Sequence, residues 1–351
     1  MLAAILHNMC DVRYCFVVYL YFFQDEVKGS DMAAILDSSA TKTYNGGFVV
    51  VKPTLQALRV YKKMRYVSGK FGYLREQQRL NLVLKELGKD KDSFNVTFLN
   101  RNNYVNGAQY FEHMIQLLPQ KGDTCSSNGK KNCSVIVVHN NWIVSKAAKI
   151  YRFREHLMWL YDGEDQYYSS QTRRYITYTN PKPGALRLFI AKEIVQTKRQ
   201  MSALRTALVI GFLLKRAVIL PRFYCGLQAR QCPLNSLIHI KTFDALFSNK
   251  YRENSFLQHP QVPGVVKQST RYQKLVSNRA RELAGGKIVD INSDDVVRLF
   301  GSFEESLIDV GNLDKINIIF SNHSLGEIFN DTVRKAFRQS DYRQQRLGEF
   351  V

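Results

Sequence analysis

The residues of this sequence best suited to chemistry are His139 and Lys146. His139 closes an apolar, β-branched run, Val135-Ile136-Val137-Val138, that predicts a buried strand. The imidazole therefore stands at a strand's C-terminal end, with Asn140, Asn141 and Trp142 behind it. Open α/β sheets bind ligands at that edge. A neutral imidazole can ligate a metal there, and a lysine beside a helix N-terminus meets anions that backbone N–H groups also favour. The pair fits one anionic, metal-bound ligand. The same letters also describe a hydrogen-bonded strand end followed by a solvated helix lysine, and composition does not separate the two.

From His139 to Trp159 the order His-x-Asn, short loop, Lys, basic helix resembles the closing motif of nucleotide-diphospho-sugar transferase domains of the glycosyltransferase family 77 type. The resemblance implies a GT-A-like, Rossmann-type α/β domain. It further implies a Golgi glycosyltransferase that moves a sugar from a nucleotide-diphosphate donor to a glycan or protein hydroxyl with retention of configuration. By the same resemblance His139 is a metal ligand, and Lys146 and Asn141 contact the donor. Ser145 stands where the motif often has Gly.

Other matches to this pattern follow along the chain. Cys10-Asp11-Val12-Arg13 stands where such transferases carry Asp-x-Asp, so Asp11 is expected to hold Mn2+ or Mg2+; Arg13 replaces the second acid, and a guanidinium cannot ligate a cation. Asp90-Lys91-Asp92 fits Asp-x-Asp by letter but lies in a charged loop. Asn45-Gly46-Gly47, ahead of the strand Phe48–Val51, resembles the Asn-x-Gly that shapes the donor and acceptor pocket. Read from residue types alone it is a turn, where glycine tolerates positive φ or lets a ligand come close. Glu76-Gln77 stands where the family has Asp-Gln at a helix start, which implies a catalytic pair that steadies charge on the sugar or orients the acceptor hydroxyl. A glutamate at a helix start is also favourable with no chemistry at all.

The elements that must position these residues are legible by period. Helices are expected over 54–67, with Thr54 as N-cap, and over 75–87; a strand is expected over 94–99, and a loop from Asn100 to Tyr110 that offers Tyr104, Asn106 and Gly107 to a sugar. Residues 163–183, rich in Tyr, Ser, Thr and Pro, read as a linker between a transferase-like domain at 1–162 and a smaller α/β domain at 184–351. In the latter a helix over 185–214 feeds the strand Ala217–Leu220. Its Leu204-Arg205-Thr206-Ala207-Leu208 resembles the helix before the Pro-ended strand of protein O-fucosyltransferases, where Arg205 is either an anion ligand or a solvent-facing helix residue. Further on, helices are expected over 269–283, 302–310 and 332–345, and strands over 287–291 and 316–320.

Bulk composition narrows the partners. A 351-residue chain with 45% hydrophobic residues buries a sizeable core, and 8 prolines with 20 glycines argue against long disorder. The formal net charge of +20 favours polyanions, but the basic residues are scattered, so no specific nucleic acid is expected. Cys225 with Cys232 and Cys125 with Cys133 are spaced for short-loop disulfides rather than zinc. Sequons begin at Asn95, Asn132, Asn322 and Asn330, in keeping with a secretory lumen. The apolar stretch 15–23 is shorter than the roughly 20 residues of a spanning helix. The chain is accordingly read as beginning inside its first domain, with membrane association through an anchor further upstream, or as cytoplasmic if its N-terminus is genuine. Two other functions stay open: a catalytically inactive relative serving as a sugar-nucleotide or partner-binding scaffold, and a basic nucleic-acid-binding module.

Overall fold

The computed structural model describes residues 27, 29–38, 42–70, 72–87, 94–114, 135–180, 190–225, 230–274, 288–311 and 313–337. Asp11, Arg13, Asp90, Asp92, Cys125, Cys133 and Asn132 lie outside them. The chain divides into two compact units, Met1–Ile143 and Val144–Val351.

In the first unit β1 (Met32–Ser38) pairs antiparallel with β2 (Thr43–Val51) and parallel with β3 (Val96–Phe98). A second parallel pair joins β4 (Tyr104–Asn106) to β5 (Val137–His139), so the expected loop at 104–106 is a strand. Side chains of a strand alternate between faces, and β1 is buried on both: Met32 joins Val60, Val67, Leu80 and Val83, whereas Ala33 and Ile35 join Leu99, Tyr104 and Val137. The helices α1 (Leu55–Lys70) and α2 (Glu76–Leu87) supply the first of those clusters. Thr54 caps α1 as expected, its hydroxyl accepting from Ala57 N–H at 3.1 Å. At α2 the Gln78 side chain reaches back to accept from Arg75 N–H at 2.8 Å, half of a capping box.

The second unit is the longer of the two, against the expectation of a smaller domain. It begins with α3 (Lys146–Glu155), and β6 (Tyr175–Tyr178) follows from within the stretch expected to be a linker. Next come α4 (Ile190–Leu213), β7 (Ala217–Ile219), the hairpin of β8 (Phe223–Cys225) and β9 (Arg230–Cys232), α5 (Ile240–Phe247), β10 (Tyr251–Arg252) and α6 (Gly264–Gln268). The chain continues with β11 (Thr270–Lys274), β12 (Val289–Asn292), α7 (Ser293–Phe300), β13 (Leu307–Gly311), β14 (Ile316–Ile319) and α8 (His323–Phe337). Five strands form one sheet in the order β10-β7-β6-β13-β11, every neighbour parallel. Both mixed units carry parallel strands, in keeping with the expected α/β class. Cys225 and Cys232 are disulfide-bonded across the β8–β9 hairpin.

Two expected helices are strands. Residues 302–310 contain β13, whose Leu307, Ile308 and Val310 are buried in the sheet, and 269–283 open with β11 on its edge. Pairing with neighbouring strands overrode local periodicity. Arg205 is half-buried on α4 and donates to Asn317 Oδ1 at 3.0 Å and to Asn330 Oδ1 at 2.6 Å. The turn from α4 into β7 is a Schellman motif, with Arg216 N–H donating to Gly211 O at 2.8 Å and Lys215 at φ 54°. A Cβ on Gly211 would stand 2.8 Å from Arg216 O, so the helix crosses its own exit loop at a glycine.

Glu155 ends α3 in a fully enclosed setting, its Oε1 accepting from Leu234 N–H at 3.3 Å. Burial pushes its carboxyl up to about 8, Glu253 adding to the push while the Leu234 bond and Arg152 oppose it. The folded state thus keeps a proton that the unfolded chain releases near its ordinary value. The stabilisation is present below that value and is lost as pH rises towards about 8, at up to about 1.4 kcal/mol per pH unit. Urea denaturation between about pH 5 and 8 is expected to show the wild type losing stability relative to Glu155→Gln as pH increases.

Candidate functional site

The first unit gathers side-chain amides around one carboxylate, Asp37, at the C-terminal end of β1. Asp37 Oδ1 accepts from Asn45 Nδ2 at 2.7 Å and from Asn141 Nδ2 at 3.0 Å, and Oδ2 accepts from Gln77 Nε2 at 2.9 Å. Each amide uses its oxygen elsewhere. Asn45 Oδ1 accepts from Gly47 N–H at 2.8 Å, Gln77 Oε1 from Gly46 N–H at 3.2 Å and Asn141 Oδ1 from Gly107 N–H at 2.7 Å. Asn106, buried beside them, donates to the carbonyls of Leu36 and Asp37, both at 3.2 Å. Four separate segments are thereby tied to the end of one strand.

The backbone explains how Asn45-Gly46-Gly47 comes to be there. β1 and β2 are in register at Ala34↔Val49 and again at Leu36↔Tyr44, so residues 45–48 bulge out opposite Ile35 alone. The expected simple turn before a strand is therefore a bulge inside one. Helix α2 holds it from one face: Asn81, one helical turn beyond Gln77, accepts from Tyr44 N–H at 2.9 Å and donates to Tyr44 O at 2.8 Å. Neither Gly46 nor Gly47 needs positive φ; what they supply is room. A Cβ on Gly47 would lie 2.1 Å from His139 Cε1 and 2.3 Å from Nε2, and one on Gly46 would lie 3.3 Å from Gln77 Cα. The His139 imidazole lies against the naked Gly47 backbone, and His139 also pairs with Asn106 across β4 and β5.

Of the residues singled out in the sequence, Asn45, Gly46, Gly47, Gln77, His139 and Asn141 thus fall in one place. Glu76 is exposed on the first turn of α2. Lys146 is exposed at the start of α3, which belongs to the second unit. Before it Ser145 adopts φ 89°, a conformation natural to the glycine of the resembling motif, and its hydroxyl caps α3 by accepting from Ala148 N–H at 3.2 Å. Among the described residues no group of three or more His, Cys, Asp or Glu side chains is placed to hold a metal ion. They do not by themselves make a Mn2+ or Mg2+ site, and Asp11 is outside them.

Sequence reasoning missed Asp37 and Asn81. Both had a usable signal: Asp37 ends the apolar run Met32–Leu36, and Asn81 shares a helix face with Gln77.

Comparison with known families bears on the same segment. Residues 16–153 match the nucleotide-diphospho-sugar transferase family model. That segment is therefore similar to a nucleotide-sugar transferase domain. The match covers less than half of the 351 residues, holds every residue of the Asp37 hub, and ends within α3. No curated protein and no solved structure matches the chain.

Replacing Asp37 by Asn leaves a single acceptor oxygen for three amide donors. Asp37→Asn is expected to destabilise the first unit by about 2 kcal/mol, read as a lower denaturant midpoint. Gly47→Ala is expected to displace the imidazole, visible as altered ring-proton shifts of His139 with the fold retained.

Proposed function

We propose that the first unit belongs to a GT-A-like glycosyltransferase that binds a nucleotide-diphosphate sugar and passes the sugar to a hydroxyl of a glycan or protein, with retention of configuration. The observation that carries the proposal is the Asp37 hub, which sets two asparagines, a glutamine and a glycine-flanked imidazole at one strand end within the matched segment. Hydroxyl-rich ligands are recognised by such preorganised amides, because a site whose polar groups are already aligned loses little entropy on binding.

In this reading Gln77, held by Asp37 and Gly46, turns its amide towards the reacting sugar, and Glu76 beside it orients the acceptor hydroxyl. Asn45, Gly46, Gly47 and Asn141 shape the donor pocket, and Lys146 meets the diphosphate. His139 with Asp11 is the proposed ligand pair for Mn2+ or Mg2+, which when bound would neutralise the diphosphate; Arg13 in place of a second acid weakens that pair. The chain would work in the Golgi or another part of the secretory lumen.

The inactive scaffold is favoured by a separate observation, Arg13 in place of the second acid of the Asp-x-Asp pattern. Calorimetric titration with uridine-diphosphate sugars, with and without Mn2+, combined with a sugar-release assay distinguishes the two. Turnover that falls at least about tenfold in Gln77→Ala supports the enzyme. Binding without turnover supports the scaffold, and no binding in either condition sinks both.

A further inference from the structure

An asparagine followed two residues on by Ser or Thr, with no proline between, is an acceptor for N-linked glycans in a secretory lumen. Within the described residues this pattern falls at Asn95-Val96-Thr97, Asn322-His323-Ser324 and Asn330-Asp331-Thr332, and the fold treats the three differently. The Asn95 amide nitrogen, the atom a glycan would bond, donates to Gly29 O at 2.7 Å, and its backbone N–H donates to Asp31 Oδ2 at 2.9 Å. A glycan on Nδ2 competes with the first of these bonds at the entry to β3, which pairs with β1. Asn330 is half-buried within α8, its Oδ1 accepting from Arg205 Nη2 at 2.6 Å. A branched sugar on that amide crowds α4, the helix that carries Arg205.

Asn322 has the opposite setting. It stands directly before α8, and Asn322, His323 and Ser324 are all exposed. Its Oδ1 accepts from Leu325 N–H at 3.0 Å and its carbonyl oxygen from Gly326 N–H at 3.0 Å, so it caps the helix. The side-chain oxygen is thus held on the first turn, and Nδ2 stands on the other side of the planar amide, away from those N–H groups. Glycosylation replaces one hydrogen of Nδ2 and leaves Oδ1 as it was. The cap therefore survives the modification, and the exposed surroundings leave room for a bulky group.

We propose that Asn322 carries an N-linked glycan. The assignment rests on the secretory location proposed for the chain, because oligosaccharide transfer to asparagine takes place in that lumen. It is independent of the Asp37 hub. In the transfer Nδ2 bonds to the anomeric carbon of an oligosaccharide carried on a lipid pyrophosphate; the bond from that carbon to the pyrophosphate oxygen breaks, the pyrophosphate leaves with the electron pair, and the amide gives up one proton.

Expression of the full chain behind a cleavable secretory leader in eukaryotic cells ensures entry into the lumen, which separates the acceptor residue from the compartment. Gel mobility before and after enzymatic release of N-glycans, with mass spectrometry of the Asn322 peptide, reads the modification. The wild type is expected to carry a glycan at Asn322, whose release converts that residue to aspartate. Asn322→Gln is expected to lose it and run faster, and Ser324→Ala, which keeps the helix cap, to lose it as well; Ser324→Thr is expected to retain it. An Asn322 peptide recovered wholly unmodified, or a band that neither Asn322→Gln nor Ser324→Ala moves, overturns the assignment and leaves the location reading untouched. Protease protection of the native protein in sealed vesicles tests the location itself: digestion without detergent defeats the lumenal reading, and the native glycan with it.

Discussion

The candidate site of the first unit depends on a carboxylate that accepts three side-chain amides. Asp37 alone can do this, because a carboxylate offers two oxygens with spare lone pairs and no donor to compete. Each amide it holds has its carbonyl turned onto a backbone N–H, so Asn45, Gln77 and Asn141 are fixed at both ends. A side chain fixed at both ends presents its remaining donor or acceptor capacity in one direction, which is what recognition of a polyhydroxylated ligand requires. The two glycines of the bulge complete the arrangement by letting an imidazole and a helix N-terminal turn approach the backbone closely.

The second unit has a different economy. Its all-parallel sheet is buried under apolar residues from α4, and its buried polar side chains include Arg252 and the rings of Tyr167 and Tyr175. Parallel strands need crossover connections, and the stretch 163–173 that leads into β6 is one of the segments carrying those side chains. What composition presented as a polar linker is therefore attached through its strand to the middle of the sheet.

Several elements were legible because their signals are local. The helices at 55–70 and 76–87 followed from apolar spacing and from Thr54 and Glu76 at their starts, and the disulfide of Cys225 with Cys232 followed from close spacing on either side of a hairpin. The readings that failed were those where pairing partners lie far along the chain. Tyr104–Asn106 looked like an Asn-rich loop and becomes a strand only because Val137–His139 lies beside it. Residues 307–311 pair with 270–274 on one side and with β6 on the other, and nothing within those windows announces the pairing.

The sequence by itself determined the residue types of the site, the amides, glycines and imidazole in Asn45-Gly46-Gly47, Gln77 and His139-Asn140-Asn141, together with the periodicity that makes helices of the segments between them. Only the tertiary structure decided that these types converge, that Asp37 is their common acceptor, and that Glu76 stays exposed on α2. The physical reason is that hydrogen bonds spanning 40 or 104 residues are set by strand register and a bulge, which depend on distant partners rather than on neighbouring letters.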